Sequence, residues 1–155
     1  MAKKKSKKPT NTNAVAEALR QVVADTYALL GQTHFCHWNV EGPGFFALHT
    51  AFEEQYTELF TAVDEIAERI RALNCYAPGS LGNLAKMAGF DELEEGVNDK
   101  AMVAHLADLH RKTVANLGKA RDIAADSDDS ETEDLMIART QVHEKTIWML
   151  ESYLK

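Results

Sequence analysis

A chain of 155 residues, 45% hydrophobic and 26% charged, is sized for one globular domain, burying roughly 70% of the surface its unfolded form exposes. No apolar run nears the ~18 residues of a membrane span, and no apolar stretch follows the basic N-terminus as a secretory signal requires. Cys36 and Cys75 are too few and too far apart for a disulfide framework, and read as reduced residues of a cytoplasmic protein.

Net charge is −7, but Lys3, Lys4, Lys5, Lys7 and Lys8 give residues 1–8 a charge of +5, leaving −12 on residues 9–155. The acidic body suits gathering cations and repels DNA at close range. Residues 1–12 have little to bury and are expected to form a disordered Lys-rich tail, followed by a helical domain over residues 13–155.

The first helix is predicted to start after Asn13 as N-cap, with Val15, Leu19, Val22, Val23, Leu29 and Leu30 on its apolar side. Gly42-Pro43-Gly44 ends it in a turn. A second helix runs from about Ala47 to Asn74, where Ala77-Pro78-Gly79 breaks the chain. Ser80 caps a short helix reaching Met87, with Gly89 as its stop. A third long helix spans Val97 to Ala125 and carries Met102, Val103, Leu106, Leu109 and Leu117. After the Asp126–Asp129 loop, Ser130 and Glu133 fit a capping box for a last helix ending near Tyr153. Met102 and Met149 read as core, and His105, His110 and His143 as structural. Nothing alternates as a strand does. The fold class is all-α: a ferritin-like four-helix bundle with a short helix in the long connection between the second and third long helices.

The second helix carries the chemistry. Phe52, Tyr56, Leu59, Val63, Ile66, Ile70 and Leu73 form its apolar stripe. His49, Glu53, Asp64 and Glu68 fall within an arc of about 100°, centred roughly 120° away from that stripe. Imidazole and carboxylate together suit a first-row transition metal such as iron. Glu53 and Asp64 lie roughly 16 Å apart along the axis, so one metal centre cannot take both from one chain. A second, antiparallel copy of the helix could complete two half-sites. A di-iron centre inside one bundle would use Glu-x-x-His pairs, and the sequence has none. On spacing alone, a solvated acidic face fits these carboxylates equally well, and His49 also fits a helix-start or core histidine.

Two weaker signals remain. His34 lies three residues before His37 on one helix face, as a support for the metal centre or a packed histidine. The acids Asp126, Asp128, Asp129, Glu131, Glu133 and Asp134 resemble a calcium loop but lack its central glycine. They also fit a solvated helix N-terminus.

His37-Trp38-Asn39-Val40, Phe45-Phe46, His49 and Asp64-Glu65-Ile66-Ala67-Glu68-Arg69 together resemble the signature of the Dps family, the mini-ferritins named DNA-binding protein from starved cells. The resemblance runs over nearly the whole chain after its first dozen residues. It implies a ferroxidase and iron store: a twelve-subunit homo-oligomeric shell that oxidises Fe(II) with hydrogen peroxide, stores Fe(III) and protects DNA. It implies a di-iron site between two-fold-related subunits, with His37 and His49 from one, and Asp64 and Glu68 from the other. Glu53 stands on the histidine side, where the family more often has aspartate. Trp38 sits beside the centre, as a ring that intercepts one-electron chemistry or as a core tryptophan. Acids near the start of the last helix would line three-fold pores. Two other readings stay open: a nucleoid-structuring protein that binds DNA through its lysine tail and has a secondary iron site, or a helical metal buffer without turnover.

Overall fold

The structure, a computed structural model, describes residues 11–155. It contains α1 (Thr12–Asn39), α2 (Phe45–Ala72), α3 (Leu81–Ala88), α4 (Asp99–Asp126) and α5 (Ser130–Tyr153), with no strand among the described residues. α1 and α2 form one hairpin, α4 and α5 another, and α1 packs on α4 and on α3. The α2–α5 seam is looser than any of these pairings. The four-helix bundle with a short helix in its crossover is therefore as expected. The Lys3–Lys8 cluster lies outside the described residues.

Helix ends depart from expectation where two residues compete for one cap. α1 starts at Thr12 because Asn11, not Asn13, accepts the Ala14 N–H at 3.3 Å. α5 is capped by Asp129 rather than Ser130. The Asp129 carboxylate accepts the Thr132 N–H at 3.1 Å and also pairs with Arg69, an offer a serine cannot match. Asn98 caps α4 through the Ala101 N–H at 2.9 Å. Ser80 and Gly89 bound α3 as expected, both with positive φ. α2 begins at Phe45, whose N–H bonds back to Gly42 across the turn. Gly44 is required there: a Cβ on it would overlap the Tyr153 hydroxyl, which donates to Asp99 and ties the C-terminal helix to the start of α4.

The apolar stripes fill two clusters. One holds Val15, Leu19, Val22, Val63, Ile66, Ile70, Leu117 and Met136. The other holds Leu29, Cys36, Phe52, Leu59, Met102, Leu106, Leu109 and Leu150. Met102 is core, but Met149 is 48% exposed, a correction: it lies next to Leu150, which takes the inward position.

Between the two clusters, in sequence on every helix concerned, lie buried polar residues: Asp25, Thr26, His110, Thr113, Arg139 and His143. Asp25 is held by Gln21 and Asn116, each at 2.7 Å. Arg139 pairs with Glu58 and approaches His143 Nε2 at 3.4 Å. A guanidinium can only donate, so His143 Nε2 accepts and its proton sits on Nδ1. That Nδ1 then donates to His110 Nδ1 at 2.8 Å. Both rings are neutral in this arrangement. Burial pushes His110 down to about 3, with Arg139 adding repulsion, and pushes His143 well below its ordinary value.

This pair makes stability pH-dependent. In the unfolded chain each histidine titrates near 6.5. Stability is full above that pH and is lost as pH falls from 6.5 toward 3, because the unfolded chain takes up protons the folded one refuses. Each such site costs about 1.4 kcal/mol per pH unit in that window. Melting temperatures between pH 6.5 and 4.5 are expected to fall more steeply in the natural protein than in a His110→Phe, His143→Gln variant. Parallel slopes would mean that other groups carry the acid sensitivity.

Candidate metal centre

The five-residue corner between α1 and α2 brings the end of one helix against the start of the next. There His37 Nδ1 donates to the His49 carbonyl at 2.8 Å, and His49 Nδ1 donates to the His37 carbonyl at 2.9 Å. A carbonyl only accepts, so each Nδ1 carries its proton. With Nδ1 so engaged, Nε2 is the nitrogen of each ring left to offer a lone pair to a metal. The rings stack with centroids 3.8 Å apart and planes 21° apart. Phe45 stacks against His49, and Tyr56 meets His37 edge-on. His37 is buried and His49 half-buried. Two metal-competent imidazoles are thus locked together before any ion arrives.

The carboxylates lie elsewhere. Glu53, Asp64 and Glu68 are all exposed, while Phe52, Leu59, Val63, Ile66 and Ile70 of the same helix are buried. Their arc points off the bundle, as the helical phase requires. Among the described residues, no three side chains of His, Cys, Asp or Glu gather closely enough to hold a metal ion. Glu53, one turn beyond His49, does not close a three-ligand set with the histidine pair. One chain therefore presents two incomplete donor sets on one surface.

That surface is apolar as well as acidic. Phe46 is 84% exposed and Phe60 66% exposed, and at 100° per residue both fall inside the carboxylate arc. Two large exposed aromatic rings on the acidic face make it a candidate contact surface. Phe60 was legible in the sequence only by placing it on the acidic arc rather than on the apolar stripe.

Trp38 is 65% exposed, so its alternative as a core residue is overturned; it sits at the end of α1, beyond the packed face. Its ring packs at a tilt against His34, with centroids 4.0 Å apart, and His34 in turn packs at a tilt against Tyr56 at 4.4 Å. His34 lies 6.2 Å from His37, centroid to centroid, and is a packed neighbour of the histidine pair. In the acidic cluster at α5, Asp129 is buried as cap and partner of Arg69, whereas Asp126, Asp128, Glu131 and Asp134 are exposed. His105 is half-buried on α4, and His110 and His143 are fully inside the bundle, as structural histidines should be.

Comparisons with known proteins establish the family. A family profile described as a ferritin-like domain matches residues 16–155. The chain is 37% identical over 140 residues to DNA protection during starvation protein 2 of Bacillus anthracis, covering 90% of this chain and 96% of that protein. The chain belongs to the Dps family of mini-ferritins. Among solved structures, Dps from Bacillus brevis superposes with a TM-score of 0.90 at 35% identity, over 96% of this chain and 99% of that one. A Dps protein of Vibrio cholerae O1, described as a member of the ferritin-like diiron-carboxylate superfamily, gives 0.89 at 30% identity, covering 93% and 91% of the two chains. No helix of this mini-ferritin is long and apolar enough to cross a membrane, among the described residues.

Proposed function

We propose that this mini-ferritin oxidises ferrous iron at centres shared between two-fold-related subunits and stores the ferric product in a hollow shell of twelve. One subunit offers His37 and His49 through Nε2, with Glu53 beside them, and the other offers Asp64 and Glu68. The observation that carries this reading is the reciprocal histidine bonding: it leaves two lone pairs ready for metal at a place where, among the described residues, no third side chain of the same chain gathers closely enough to complete a site. A two-fold operation brings the missing half and covers Phe46 and Phe60 at the same time, because an isologous interface places one patch against its own copy.

Iron is the substrate. Two ferrous ions held together each give one electron to a single hydrogen peroxide. Its O–O bond breaks, both oxygens take up protons and leave as water, and no hydroxyl radical is released. The protein's part is to hold and orient the ions and to offset their charge. The exposed Trp38 ring lies where it could donate an electron to stray radicals instead of DNA. The free thiols of Cys36 and Cys75 suit a reducing cytoplasm, close to the nucleoid.

Complementation tests the shared centre. His49→Ala and Asp64→Ala subunits, each inactive alone, are expected to regain peroxide-driven Fe(II) oxidation when co-assembled. Random mixing makes half the interfaces mixed, and half the sites at each such interface intact, so about a quarter of natural activity should return. Background activity in mixed, intact shells would sink the shared-site reading.

DNA contact, on this proposal, belongs to Lys3, Lys4, Lys5, Lys7 and Lys8, since residues 9–155 carry −12. Many tails on one shell act through effective concentration. Full-length protein is expected to retard DNA, with log affinity falling by roughly 0.9 per phosphate for each decade of salt, and protein shortened to begin at Thr10 is not. Equal retardation by both would remove the tail from the mechanism. Retardation without any iron oxidation would favour the nucleoid-structuring reading.

A further inference from the structure

Asp64 and Glu68 lie on α2 between two arginine ties to α5, one on each side of them in sequence. Before them, Glu58 receives both terminal nitrogens of Arg139, one at 3.0 Å, with the Arg139 side chain only 7% exposed. Immediately after them, Arg69 donates from Nη2 to Asp129 at 2.7 Å and from Nε to the Thr132 hydroxyl at 2.9 Å. The Thr132 hydroxyl itself donates to the second oxygen of Asp129 at 2.8 Å, closing a ring of bonds around a carboxylate that is 3% exposed. These two ties bridge the α2–α5 seam, which is looser than the α1–α2, α4–α5 and α1–α4 pairings.

We infer that Arg69 and Arg139, with Asp129 and Glu58, are positioning residues that fix the roll of α2 and so aim Asp64 and Glu68 at the histidines of the partner subunit. The inference rests on the shared centre proposed above. A roll of roughly 20° moves a side-chain tip at a 5–6 Å radius by about 2 Å. A metal site tolerates only about 0.5 Å of misplacement. The apolar stripe of α2 alone resists rolling weakly on the α5 side, where the seam is loose; a bidentate arginine pair is directional. Asp129 is also the N-cap of α5, so the tie joins the aim of the carboxylates to the start of that helix.

The test uses Asp129→Asn and Glu58→Gln, singly and together. Asparagine caps a helix as well as aspartate does, and glutamine keeps an acceptor for Arg139, so each removes the ion pair while sparing local structure. Cobalt(II), which takes the same nitrogen and oxygen ligands, is titrated into assembled shells and followed by its visible absorption, alongside the melting temperature. The expected result is cobalt affinity weakened about tenfold in each single variant, and further in the double, with shells intact. A lower melting temperature with unchanged cobalt affinity would overturn the inference and leave the ties as simple stabilisers. Cobalt binding by the natural shell that survives Asp64→Ala and Glu68→Ala would overturn the shared centre, and the positioning role with it.

Discussion

The account depends on one pair of hydrogen bonds. At the corner between α1 and α2, each imidazole gives its single N–H to the backbone carbonyl of the other histidine. This fixes two things together. It pins the corner, because each bond crosses from one helix to the next. It also leaves Nε2 of each ring as the nitrogen turned away from the backbone, the position the proposed metal would use.

The second constraint is the division of α2 into faces. Its buried side, Phe52, Leu59, Val63, Ile66 and Ile70, is committed to the bundle. Its outer side holds Glu53, Asp64 and Glu68 with Phe46 and Phe60. A rigid helix with donors spread over about four turns cannot bend them around one ion. Unlike a bundle whose metal site is central, this one fills its middle with Arg139, His143 and His110, where both histidine lone pairs are taken by hydrogen bonds and the fixed cation repels a metal ion. On the reading proposed above, the centre is displaced to the surface, where another copy of the same face completes it.

Much of this could be read from the chain. Helix number, order and inward residues follow from the 3.6-residue period, which is a local property. So does the aim of the carboxylates, since phase along one helix needs no partner. Short-range signals failed where two residues of similar chemistry compete, as at Asn11 against Asn13 and Asp129 against Ser130; there the contact with Arg69, 60 residues away, favours the aspartate. Met149 was misplaced because its neighbour Leu150 has the better claim to the inward position. The His110–His143 bond spans 33 residues and the Arg139–Glu58 pair 81. Such contacts leave no periodic trace in sequence. The reciprocal bonding of His37 and His49 is likewise invisible to spacing, although both residues were legible as candidate ligands.

The central claim is that iron sits between subunits, on the free nitrogens of this histidine pair. Crystals of the assembled shell, loaded with Fe(II) without oxygen and measured at the iron absorption edge, locate the ion directly by its anomalous signal. The account predicts signal within bonding distance of His37 and His49 Nε2 and facing Asp64 and Glu68 of the partner subunit. Iron found inside a single bundle beside His110 and His143, or bound on the acidic face with both Nε2 atoms out of reach, would contradict it.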